Sequence, residues 1–89
     1  MALHDPLSMR NLAQLRRDER ATVTGIDWPS LTVPEARRLR ELGLDEGVTV
    51  ELLHKASLGA GPVACRIGRM TVALRRHVAG AIRVAPLAG

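Results

Sequence analysis

Hydrophobic and polar positions change period twice along this chain. "ERATVTGI" (residues 19–26) alternates and is rich in β-branched residues, which predicts a strand. Gly25 marks its end or a bulge. The period then lengthens. Ala36, Leu39 and Leu42 recur at helical spacing, with Arg37, Arg38, Arg40 and Glu41 largely on the other face. Period two returns with "VTVELLHKA", which sets Val48, Val50 and Leu52 against Thr49, Glu51 and Leu53. "PVACRIG" puts Val63, Cys65 and Ile67 on one face, and "RMTVALR" does the same with Met70, Val72 and Leu74. "RHVAG" reads as a one-turn element and "AIRVA" as a last short strand. Upstream, Leu7, Leu12 and Leu15 suit a short helical turn. Residues 1–6 are expected to form a poorly ordered start, punctuated by Pro6, and residues 86–89 a tail.

Turn chemistry separates these segments. Thr32 and Glu35 have capping-box spacing, so each can satisfy a backbone N–H near the other. Pro34 is tolerated in a first helical turn, where its missing N–H would be unpaired anyway. Gly43 stands where a left-handed residue ends a helix, and Leu44 can then fold back on Leu39. "DEG" is a turn, "SLGAG" a hairpin loop, and Gly68 with Arg69 a tight hairpin. The order is therefore strand, capped helix, then four strands on short connections. Strands this few and short do not make a stable flat sheet with exposed edges. The pattern predicts a mainly β fold, a small, partly open barrel of about five strands with the helix between strands one and two closing one end.

Composition narrows the class. Eighty-nine residues make one domain, 46% hydrophobic and 25% charged. The core must come from aliphatic residues, since there is one Trp and no Tyr or Phe. The formal net charge of +4 suits an acidic partner, nucleic acid or an anionic surface. A lone cysteine, Cys65, excludes an internal disulfide and fits a reducing compartment. No stretch is long and apolar enough to insert in a membrane, and the N-terminus lacks a basic region followed by an apolar run. A soluble cytoplasmic protein is expected.

The ordered set Leu42-Gly43-Leu44, Gly47, Gly59 to Pro62, Gly68, Val72-Ala73-Leu74-Arg75, Ala79 and Ile82-Arg83-Val84 resembles the FeoA domain pattern. Leu12, Leu15, Val23 and Ile26 also fit, so the likeness covers residues 7–85. That family usually has Gly before its first strand, where this chain has Asp18, and often Pro before the turn Gly, where it has Glu46. The loop "SLGAGP" is one residue longer than usual. The resemblance implies an SH3-like barrel. It also implies a small cytoplasmic accessory of ferrous iron uptake, acting by protein–protein contact with the cytoplasmic domain of the FeoB-type GTP-binding iron permease. The same domain is found fused to DtxR-type repressors, but no DNA-binding helix pair fits here.

Candidate chemistry is sparse. His54, Cys65 and His77 are the weak metal candidates, too widely spaced for a compact site; His4 carries less weight still. No cofactor is implied. There is no phosphate-cradling loop and no supported catalytic triad, so an enzyme is not expected. The densest basic groups are Arg37, Arg38 and Arg40, and Arg75 with Arg76. They are candidate partner contacts, against the plainer reading of a solvated surface. Trp28 either plugs the barrel end or anchors an interface. The alternative function is a basic barrel binding RNA or single-stranded DNA, which one aromatic serves poorly. An open barrel edge would also permit oligomers.

Overall fold

The computed structural model describes residues 10–56 and 61–87. The expected N-terminal segment 1–6, Leu7, His4 and most of the "SLGAG" loop lie outside the described residues. The chain forms β1 (Arg20–Ile26), α1 (Val33–Glu41), β2 (Thr49–Lys55), β3 (Val63–Ile67), β4 (Met70–Leu74), α2 (Arg76–Gly80) and β5 (Ile82–Pro86). Single 3₁₀ turns sit at Leu12–Gln14 and Trp28–Ser30. The five strands make one antiparallel sheet in the order β4-β3-β2-β1-β5, curled but not closed. This is the mainly β, partly open architecture expected, with the capped helix between the first two strands.

Two bulges help the sheet curl. The β1–β5 register shifts between Val23 and Gly25, and the β2–β3 register between Leu52 and His54. Each leaves one extra residue, Thr24 and Leu53, which bends its strand and raises the local twist. Gly25 thus marks a bulge. Strand two begins at Thr49, one residue later than the alternation suggested. Val48 instead closes the turn, its N–H donating to the Asp45 carbonyl at 3.2 Å.

Alternation carries the core. Ala21, Val23, Val50, Leu52, Val63, Cys65, Ile67, Leu74, Ile82 and Val84 line the concave face, and Leu39 and Leu44 close it from α1 and its C-terminal turn. Leu12, Leu15, Val78 and Ala79 join from the N-terminal turn and α2. Among the described residues no polar or charged residue is buried. Met70 departs from the expected pattern. It shares the alternation of Val72 and Leu74 but is 44% exposed, because among the described residues the edge strand β4 has no neighbour to cover its far side.

The two sheet edges differ. Along β5, the Val84 N–H donates to the Arg10 carbonyl at 2.9 Å, Asn11 bridges Arg83, and Pro86 ends the strand. Nothing comparable lies along β4 among the described residues. Ahead of β1, Asp18 adopts φ +67°, the one positive φ outside glycine among the described residues. This is where the family pattern has Gly, and Asp is among the few residues that tolerate that conformation.

Candidate partner-binding surface

Thr32 begins α1 from an extended conformation. The Glu35 N–H donates to Thr32 Oγ1 at 3.2 Å, and the Thr32 N–H donates to Glu35 Oε1 at 2.9 Å, the reciprocal cap the sequence predicted. The second Glu35 oxygen, Oε2, lies 2.7 Å from His77 Nε2. One carboxylate therefore caps α1 and ties it to α2. The Thr32 backbone N–H, and then His77, hold Glu35 below the usual carboxylate range.

That tie shapes a shallow groove between the start of α1 and the junction of β4 with α2. Thr32, Pro34, Arg38, Leu74, Arg75 and Val78 line it, with Glu35 and Ala73. Arg75 also borders a second groove with Pro62, Arg76 and His77. Arg38 and Arg75, far apart in sequence, thus share one surface. Among the described residues no carboxylate is paired with either. Arg76 is half-buried, and its Nη2 donates to the Ala56 carbonyl at 3.5 Å.

The helix arginines do not form one patch. Arg38 turns toward α2, whereas Arg40 lies over the Trp28 ring, 4.6 Å from its centroid. The helical turn accounts for this, since residues two apart project in widely different directions. Trp28 is half-buried against the core and shares a small groove with Arg40, Gly43, Leu44 and Asp45. It is neither a full plug nor a freely exposed anchor. Arg37 is exposed.

The metal candidates are not brought together. Cys65 is fully buried on the concave face, and burial pushes its thiol up to about 11. His54 pairs with Ala64 and is exposed on the opposite side of the sheet. His77 is committed to Glu35. Among the described residues no group of three or more His, Cys, Asp or Glu is placed to hold a metal ion. Nor is any helix among them long and apolar enough to cross a membrane.

Two features escaped the reading of the sequence. Arg10 grips Glu19 with its two terminal guanidinium nitrogens, Nη1 to Oε2 at 2.8 Å and Nη2 to Oε1 at 2.9 Å. With the Arg16 N–H also donating to Oε1 at 2.9 Å, Glu19 is held down to about 2. Nothing in the local pattern marks that pair. The second feature had a signal. No Asp or Glu follows Glu51, while Lys55, Arg66, Arg69, Arg75, Arg76 and Arg83 do. The three strands and short helix built after that point therefore carry no side-chain carboxylate of their own.

Solved structures of similar chains agree with this architecture. An FeoA protein from Chlorobium tepidum is 34% identical, with a TM-score of 0.75 over 89% of this chain and 71% of that one. Stenotrophomonas maltophilia FeoA, solved with zinc and described as an SH3 domain protein, is 32% identical, with a TM-score of 0.70 over 83% and 87%. A manganese-dependent transcriptional repressor shares the fold alone, at 23% identity, a TM-score of 0.76, and 88% and 41% coverage. Among curated proteins none matches the chain. Residues 10–86 match the FeoA domain, nearly the whole described chain, and this protein belongs to the FeoA domain family.

Proposed function

We propose that this protein is a cytoplasmic, non-catalytic accessory of ferrous iron uptake that acts by contact with the cytoplasmic domain of an FeoB-type iron permease. The family is linked to ferrous iron transport, and its Stenotrophomonas member is described as a candidate activating factor for that process. The supporting observation is the shared groove of Arg38 and Arg75, two cations without a carboxylate partner among the described residues. Arg76 borders the adjoining groove with Arg75, Arg37 is exposed next to Arg38 in sequence, and Arg40 with Trp28 offers a second, stacked contact. Fixed charges of this kind steer encounter with an acidic surface and act mainly on the association rate. Binding of nucleic acid is the weaker reading, because Arg40 already covers the single aromatic ring.

The test is surface binding to the permease's soluble domain at low and high salt, for wild type and an Arg37→Glu/Arg38→Glu variant. Association should be slower in the variant and less salt-dependent, with the fold intact. Equal binding by both proteins at both salts would remove the electrostatic role. Absence of binding throughout, with iron uptake unaffected by deletion, would overturn the assignment.

A further inference from the structure

We propose that the edge of β4, which no strand covers among the described residues, takes up an extended, acidic-ended segment of the partner as a sixth strand. This rests on the partner reading above and specifies how the contact is made.

The hairpin sets the geometry. β3 and β4 pair Ile67↔Met70, Cys65↔Val72 and Val63↔Leu74 across the two-residue turn Gly68-Arg69. In such a hairpin the closing pair and every second pair exchange hydrogen bonds, so the residues between them turn their backbone groups outward. Those residues are Thr71 and Ala73. Among the described residues their outward N–H and C=O groups have no backbone partner. Folded proteins normally blunt such an edge with proline, a bulge or a covering segment. The β5 edge has a covering segment and Pro86, whereas the β3–β4 ladder runs without a register shift.

Charge decides which strand fits. By alternation Thr71 and Ala73 share the outer face, flanked by Arg69 in the turn and by Arg75, which keeps an extended backbone at φ −61°, ψ 148°. A second copy pairing antiparallel about Val72 would set Arg69 opposite Arg75 twice, and like charges directly opposed destabilise a ladder. No Asp or Glu follows Glu51 to offset this, and Glu35, which lines the groove beside Arg75, is engaged by Thr32 and His77. A segment with Asp or Glu opposite each arginine reverses the sign of both pairs. Apolar residues at its alternate positions would cover Val72 and the exposed side of Met70. The groove of Arg38 and Arg75 adjoins the same end of β4, so a carboxylate there meets two cations. Backbone bonds would supply affinity and the alternating side chains specificity.

The probe is an acetylated, amidated peptide, Glu-Val-Thr-Val-Thr-Val-Glu, titrated into the isotopically labelled full chain. Amide exchange at Thr71 and Ala73 should slow. An Arg69→Glu/Arg75→Glu variant should bind about tenfold more weakly, and the peptide with lysine ends should not protect the edge. Thr71→Pro removes an outward donor but no ladder bond, so it should abolish protection at Ala73 while the β3 amides stay protected. The proposal is overturned if the peptide leaves both edge amides unprotected, or if the lysine-ended peptide protects them equally. It is also overturned if a second copy of the chain or a single-stranded oligonucleotide takes the edge in preference. If the permease domain binds wild type and Thr71→Pro equally, strand addition falls and the partner reading stands. If the peptide protects the edge but the permease domain does not bind, the strand site stands and the partner reading falls.

Discussion

The Leu44 N–H donates to the Leu39 carbonyl at 3.0 Å, and the intervening Gly43, at φ +80°, donates to the Arg40 carbonyl at 3.0 Å. These two bonds end α1 and send the chain toward β2, with Leu39 and Leu44 both buried on the core. A Cβ on Gly43 would meet nothing within 4 Å, so the constraint is conformational and not one of space. Gly43→Val should cost about 1–2 kcal/mol through left-handed strain. Gly43→Asn should cost less, because Asn visits that region more readily. Thermal melts of the three proteins check the order.

Leu39 is completely buried and belongs to the hydrophobic core cluster. Leu39→Asp would place an unpaired charge among Leu, Val and Ile side chains, at a cost on the order of 4 kcal/mol or more. A domain this small has little stability beyond that. The variant should lose its cooperative melt; a soluble protein melting like the parent would show that this helix face is not packed.

The helix and its stop were legible because they depend on residues within a few positions of each other: Thr32 with Glu35, and Leu39 with Gly43 and Leu44. The strands were legible because burial on one face enforces alternation, as at Val63, Cys65 and Ile67. Relationships across the sheet were not. Glu35 meets His77, and Arg38 and Arg75 come to line one groove, only once the fold sets the start of α1 beside α2. The bulges at Thr24 and Leu53 depend on a neighbouring strand's register, which no local pattern encodes. Met70 misled for the same reason, since alternation assigns a face but not the presence of a covering strand.

The Arg10–Glu19 pair predicts an acid-sensitive stability. Glu19 titrates at about 2 in the folded chain, below its ordinary value of 4.5. A depressed carboxylate contributes stability above the unfolded value, and that contribution is lost as pH falls through the folded one. The window is therefore pH 4.5 down to about 2. The two side chains are 18% and 25% exposed, so solvent screening leaves a contribution of about 1 kcal/mol. Glu19→Gln should melt lower at neutral pH and lose part of the decline on acidification. Parallel pH profiles for both proteins would remove the pair as its cause.

Cys65 should behave as a core residue. Burial leaves the thiol protonated at neutral pH and out of reach of reagents. Modification by a thiol reagent should be slow in the native protein and fast in denaturant. Dialysis against a chelator should leave the melting curve unchanged, since His54, Cys65 and His77 are held apart. Rapid native-state labelling, or a large loss of stability on chelation, would contradict this packing.

The division of the helix arginines gives the sharpest functional test. Arg38 and Arg75 line one groove, whereas Arg40 is stacked on Trp28. Residues that share a partner group couple, and well-separated ones add. If a partner carboxylate sits in the groove, Arg38→Ala and Arg75→Ala should each weaken binding to the permease domain, and the double variant should lose less than the product of the two effects. Arg40→Ala combined with Arg75→Ala should give simple additivity. Arg40→Ala should also change Trp28 fluorescence in the free protein, since the cation leaves the ring face, while Arg38→Ala leaves that signal unaltered. Additivity in the Arg38 and Arg75 cycle, with coupling in the Arg40 and Arg75 cycle, would place the contact on the Trp28 side of the helix instead.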